Sequence, residues 1–138
     1  MCIRDRGHIP EGDGPIMGLL LVEMIAASKK SLFEMVDDLL ADVGPALYER
    51  VDLRLSRPVA KAEMTEFLTK KAPSEIGGQK VEEISQSDGV KYIMGDDSWL
   101  LIRPSGTEPV LRVYAEGRNM EMVKALMAYG KTVAESAV

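Results

Sequence analysis

The apolar positions of this chain follow two regimes that meet at Gly44-Pro45. Residues 1–13 show no period at all. From Gly14 onward, Leu19, Leu20, Val22 and Ile25 crowd a stretch in which Glu23 is the one charged residue before Lys29. Pro15 suits the first turn of a helix, where its missing N–H would have no intrahelical partner anyway. The pattern predicts a helix that is apolar nearly all round and needs covering on more than one side. Ser31 followed by Glu34 has the spacing of a capping box and predicts a second helix start. Phe33, Met35, Val36, Leu39 and Leu40 then recur at helical spacing until Gly44-Pro45 stops them. These two apolar helices have no sheet of their own, as expected of the tail of a domain whose remainder lies elsewhere.

Beyond Pro45 the period shortens. Val51, Leu53 and Leu55 alternate with Asp52 and Arg54, which predicts a strand. Val59 to Lys71 reads as a helix that stops before Pro73. Lys80 to Ile84 and Val90 to Met94 are short strands around the Ser87-Asp88-Gly89 turn, and Gly95-Asp96-Asp97 is a further turn. Trp99 to Ile102 and Val110 to Ala115 are the two clearest strands. Trp99 and Leu101 are expected in the core. Asn119 can cap a last helix with Met122, Val123, Leu126, Met127 and Val133 on its apolar side. The order β-α-β-β-β-β-α predicts an α+β fold: an antiparallel sheet of about four to five strands with helices on one side. The two-helix segment precedes it.

Composition narrows the options. The chain has 138 residues, 46% of them hydrophobic and 28% charged, which is a globular balance. Its formal net charge of −5 argues against a nucleic-acid partner, which needs a broad basic face. The longest apolar run, Ile16 to Met24, is too short to span a bilayer, so no membrane partner is expected. Cys2 is the single cysteine, so no internal disulfide can form, in keeping with a reducing compartment such as the cytoplasm.

Candidate chemistry is concentrated between the two clearest strands, in Arg103-Pro104-Ser105-Gly106-Thr107-Glu108-Pro109. Arg103 offers a planar fork of donors that matches two oxygens of a phosphate. Ser105 and Thr107 add hydroxyl donors. Gly106 is expected to take a positive φ and to let backbone N–H groups approach an anion. Pro104 and Pro109 stiffen the ends of the loop. In an extended strand Arg112 shares a face with Val110 and Tyr114, while Leu111, Val113 and Ala115 share the core face. Arg112 then points away from the core and within reach of the loop. From the residues alone, a plain hairpin loop with an Arg103–Glu108 surface pair stays an equal alternative.

The loop, with the following Leu111-Arg112-Val113-Tyr114-Ala115-Glu116, resembles the phosphate-binding loop of the α-D-phosphohexomutase family. That family includes phosphoglucomutase, phosphomannomutase and phosphoglucosamine mutase. Gly7-His8-Ile9-Pro10-Glu11-Gly12-Asp13-Gly14 and the apolar helix after it resemble the end of the family's third domain. Gly12 departs from the basic residue common there. The His8-Ile9-Pro10 stretch looks more like the phosphoglucomutase and phosphomannomutase branch. The resemblance covers residues 7–138 and leaves an unrelated or disordered head over 1–6; it implies a third-domain remnant of two helices over 7–45 and a phosphate-binding domain over 46–138.

It also implies a site. Arg103, Ser105, Gly106 and Thr107, with Arg112 beside them, would grip the phosphate of a hexose phosphate that is not reacting. In the family a phosphoserine passes its phosphate to the sugar, through a bisphosphate, with magnesium held by aspartates. This chain has no Thr-x-Ser-His-Asn-Pro stretch, no Asp-Gly-Asp-x-Asp-Arg loop and no Gly-Glu-x-Ser-Gly loop. No catalytic residue, metal ligand or bound cofactor is therefore expected in it, and the missing N-terminal domains of the same enzyme are its expected partner. His8 reads as structural. A free-standing anion- or partner-binding module is the rival reading, which the uncovered apolar helices disfavour.

Overall fold

A computed structural model describes residues 13–55, 59–106 and 108–136. The head over 1–6, His8 with its neighbours, and Thr107 lie outside the described residues. The chain divides into two compact units between Val43 and Gly44.

The first unit holds α1 (Gly14–Ser28) and α2 (Leu32–Val43). Asp13 caps α1 by accepting the N–H of Ile16 at 3.0 Å, and Pro15 occupies the first turn. The capping box is formed in full. Glu34 N–H donates to Ser31 Oγ at 3.3 Å, and Ser31 N–H donates to Glu34 Oε2 at 2.8 Å. The Ser31 N–H, and the Ser31 hydroxyl that also donates to Oε2 at 2.8 Å, favour the charged form and hold the Glu34 carboxyl below the usual range. No residue of either helix is buried; Leu19, Val22, Leu39 and, at 84% exposure, Phe33 all face outward.

The second unit runs β1 (Leu47–Arg54), α3 (Lys61–Lys70), β2 (Glu75–Ile76), β3 (Gln79–Ser85), β4 (Val90–Met94), β5 (Trp99–Pro104), β6 (Val110–Gly117) and α4 (Met120–Ser136). The strands form a six-stranded sheet in the order β1-β6-β5-β4-β3-β2, every pair antiparallel. The count exceeds the expected four to five because of β2, two residues too short to show an alternation. Its sign is the Gly77-Gly78 dipeptide, where φ values of 59° and 79° make the tight turn into β3.

Helices α3 and α4 cover one face of the sheet. Val90, Tyr92, Leu100, Ile102, Leu111, Val113 and Ala115 meet Met64 and Leu68 of α3 and Met122, Val123, Leu126 and Val133 of α4. Asn119 Oδ1 accepts the N–H of Met122 at 2.8 Å and so starts α4 as its side chain predicts. The Tyr92 hydroxyl donates to the carbonyl of Leu68 at 2.8 Å, which joins α3 to β4 inside the core. Burial pushes the Tyr92 phenol well above its ordinary value.

Trp99 and Leu101 are not core residues. The strict alternation of β5 buries Leu100 and Ile102 instead and puts Trp99 and Leu101 on the opposite face, half-buried. There the Trp99 indole N–H donates to Glu116 Oε1 at 3.0 Å, and the Lys91 ammonium sits 4.2 Å from its ring centre. Among the described residues no helix is long and apolar enough to cross a membrane.

Candidate functional site

The β5–β6 connection is fastened at its base. Ser105 N–H donates to the carbonyl of Val110, and Leu55 N–H donates to the carbonyl of Pro109, both at 2.8 Å. The second bond ties the loop to the end of β1, so three strands position it.

Arg103 and Arg112 are direct partners in the β5–β6 ladder. Both belong to the face opposite the core, where Arg103 faces Arg112 and Arg112 faces Asp52 of β1. Like charges this close repel unless anions separate them. Arg103 Nη1 lies 3.0 Å from Asp88 Oδ2. Arg112 Nε and Nη2 lie 3.7 Å from Asp52 Oδ2 and Glu108 Oε2 respectively. Glu108 is thus associated with Arg112, where the sequence suggests Arg103. Asp52 is also gripped by the Arg50 fork, with both N···O distances at 2.7 Å. Arg50 foremost, and then Arg112, holds the Asp52 carboxyl below the usual carboxylate range. The Arg112 Nε is buried without a hydrogen-bond partner.

Asp88 reaches Arg103 because of the glycine that follows it. Gly89 has φ of +90°, and a Cβ there would lie 2.6 Å from the carbonyl oxygen of Ile102 and 3.0 Å from Arg103 Cβ. Only glycine allows both the conformation and the approach. The left-handed role expected of Gly106 therefore falls to Gly89. Gly106 has no positive φ, and a Cβ added to it would meet nothing within 4 Å. The space beside Gly106 is open for a ligand.

That space is part of a cleft of about 600 Å³. Val59, Ala60 and Lys61 form one wall, Asp88 another, and Arg103 to Gly106 with Glu108 the third. The cleft brings together Arg103, Ser105 and Gly106; Arg112 stands behind Arg103 and does not line it. Sequence reasoning left out Lys61 and read Asp88 only as an acidic turn. Lys61 Nζ lies 3.1 Å from Asp88 Oδ1 and opens α3, whose N-cap position is Ala60. A helix start without a capping side chain was the available signal.

Among the described residues no group of three or more His, Cys, Asp or Glu is placed to hold a metal ion. Asp88 is engaged by two cations, and Asp96 accepts from the Ser98 N–H and hydroxyl, each at 3.0 Å. The described residues offer no donor set that fits a magnesium ion.

Residues 48–129 match the family described as phosphoglucomutase/phosphomannomutase, C-terminal domain. The chain belongs to this phosphoglucomutase/phosphomannomutase family. It is 36% identical to a phosphoglucosamine mutase of Methanococcus aeolicus over 118 residues, 86% of this chain and 24% of that protein. It is 31% identical to a phosphoglucomutase/phosphomannomutase of Thermococcus kodakarensis over 126 residues, 91% of this chain and 25% of that protein. A probable phosphoglucosamine mutase of Methanosphaera stadtmanae is 34% identical over 83% of this chain and 24% of its own length. The chain thus spans about a quarter of the length of these curated relatives. Phosphoglucosamine mutases stand among them beside the phosphoglucomutase/phosphomannomutase name, so they lend no preference to the branch suggested by His8-Ile9-Pro10. The fold of this phosphoglucomutase/phosphomannomutase C-terminal domain is α+β with an antiparallel sheet, as the strand order predicts.

Proposed function

We propose that this chain is the substrate-phosphate-binding portion of a hexose- or hexosamine-phosphate mutase. The observation that supports the reading is the cleft itself: Arg103, Ser105 and Gly106, with open space beside the last, line one volume large enough for a sugar phosphate. A guanidinium fork gives two parallel charge-assisted hydrogen bonds to one phosphate. Thr107 belongs to the same proposed grip, with Arg112 as a supporting charge behind Arg103.

In the whole protein the reaction proposed is transfer of a phosphoryl group between the 1 and 6 positions of glucose or mannose phosphate through a bisphosphate, with glucosamine phosphate as the variant that several relatives' names suggest. Holding the distal phosphate here positions the reacting oxygen elsewhere, which lowers the entropic part of the barrier. The N-terminal domains of that protein are the proposed partner of α1 and α2, whose apolar residues stand exposed. A cytoplasmic setting belongs to the same proposal.

The test is a titration of the chain with glucose 6-phosphate and, separately, with glucose, followed by ¹H–¹⁵N chemical shifts. The phosphate ester should move the amides of Ser105 and Gly106, and glucose should not. Equal responses to both, or none to the ester, overturn the reading.

A further inference from the structure

The cleft holds a second cation that neither the loop motif nor the family match assigns. Lys61 and Arg103 share one carboxylate, that of Asp88: Oδ1 lies 3.1 Å from Lys61 Nζ and Oδ2 lies 3.0 Å from Arg103 Nη1. Asp88 accepts a hydrogen bond from Lys61 and is ion-paired with Arg103. An ammonium has three donors and a guanidinium five, so both keep free donors. Lys61 and Arg103 both line the cleft, as does Ala60 at the head of α3.

A second observation on the same wall points to an anion. Helix α3 has ten residues, and its N-cap, Ala60, has no side-chain acceptor and makes no capping bond. The N–H groups of a first turn have no intrahelical partner, and the helix dipole places partial positive charge there. An anion beside Ala60 would satisfy them. The wall opposite, at Gly106, is open.

We propose that Lys61 is a further ligand of the substrate phosphate, held in place beside Arg103 by Asp88 and aided by the first turn of α3, whose N-cap residue Ala60 supplies no side-chain acceptor. The proposal rests on the phosphate-binding reading above and adds a residue 42 positions before Arg103 in the chain. Asp88 acts as a positioning residue. Its turn is pressed onto Arg103 by Gly89, so the two cations are gathered about one carboxylate before ligand arrives. Less side-chain freedom is then lost on binding.

The experiment uses the 138-residue chain, with inorganic phosphate and glucose 6-phosphate as probes, and follows amide shifts at mildly alkaline pH. In the wild type, the Lys61 and Ala62 amides should move together with those of Ser105 and Gly106. Lys61→Met should weaken both probes by about five- to tenfold, a charge-assisted bond discounted for exposure. Lys61→Arg should restore most of the affinity. Lys70→Met, an exposed lysine at the far end of the same helix, should leave it unchanged. If Arg103→Lys loses binding while Lys61→Met binds like wild type, the inference fails and the phosphate-binding reading stands. If Lys70→Met weakens binding as much as Lys61→Met, the effect is one of general charge and the inference fails likewise. If the folded wild-type chain gives no shifts with either probe, both fail.

Discussion

Arg103 and Arg112 face each other directly across the β5–β6 ladder, yet their guanidinium groups are drawn apart, the first toward Asp88 and the second toward Asp52 and Glu108. Five charges are thereby sorted into two neighbourhoods, Arg103 with Asp88 and Arg112 with Asp52 and Glu108. The cleft keeps one arginine, and the other supports it from behind.

This division predicts unequal effects of substitution on ligand binding. Arg103→Lys keeps the charge but loses the planar fork, and should weaken glucose 6-phosphate about tenfold, the equivalent of roughly 1.5 kcal/mol for a lost charge-assisted bond. Arg112→Ala should weaken it less. Ser105→Ala, the loss of a neutral donor, should cost less than Arg103→Lys as well. Shift titration of the three variants orders them, and a greater loss from Arg112→Ala than from Arg103→Lys would reverse the assignment.

The two glycines near the cleft should behave in opposite ways. Gly89→Ala forces a side chain onto a φ of +90° and into the Ile102 carbonyl. It should cost about 2 kcal/mol or more, which for a domain of this size lowers Tm by roughly 10 °C. Gly106→Ala meets open space and should melt like wild type while losing phosphate affinity, because the methyl group enters the ligand's volume. Thermal melts and titrations of the pair separate the two roles.

Alkaline pH should destabilise the second unit through Tyr92. Its phenol is pushed up by burial, so the folded state binds this proton more tightly than the unfolded state does. The stabilisation is complete below the unfolded value of about 10 and is lost as pH rises beyond it. Urea midpoints should fall above that pH. Tyr92→Phe removes the bond to the Leu68 carbonyl, should cost about 1 kcal/mol at neutral pH, and should flatten the alkaline decline. An unchanged alkaline slope in Tyr92→Phe would assign the decline to other groups.

The purified 138-residue chain should show no mutase turnover. A coupled assay with glucose 1-phosphate and its bisphosphate activator should stay at background, since the sequence carries no serine-nucleophile stretch and no aspartate loop. Turnover above background would place the reacting groups in this chain after all.

Much of the architecture is legible because it is locally encoded. The alternation of Leu111, Val113 and Ala115 with Arg112 and Tyr114 fixes the two faces of β6, and Ser31 with Glu34 and Asn119 with Met122 are bonds within a single helical turn. The size of Trp99 suggests burial, whereas its parity with Arg103 along β5 assigns it to the opposite face. The site was legible only where it is contiguous. Arg103, Ser105 and Gly106 lie in one loop, but Asp88 and Lys61 join it through the β3–β4 turn and the start of α3, distant in sequence. Arg112 is adjacent to Arg103 by ladder register, which composition does not reveal.

The unbroken in-out alternation of β6 bears on how this domain can diverge. Each residue that faces the open side is one step from a residue that holds the core. Substitution at Arg112 or Tyr114 can retune what lies above the sheet while Leu111 and Val113 stay in place, so new ligand preferences need not pass through an unfolded ancestor. A single inserted residue in the same strand would exchange the two faces at once and carry arginine into the apolar layer. Divergence through this strand should therefore proceed by replacement, with changes of length confined to the loops at its ends.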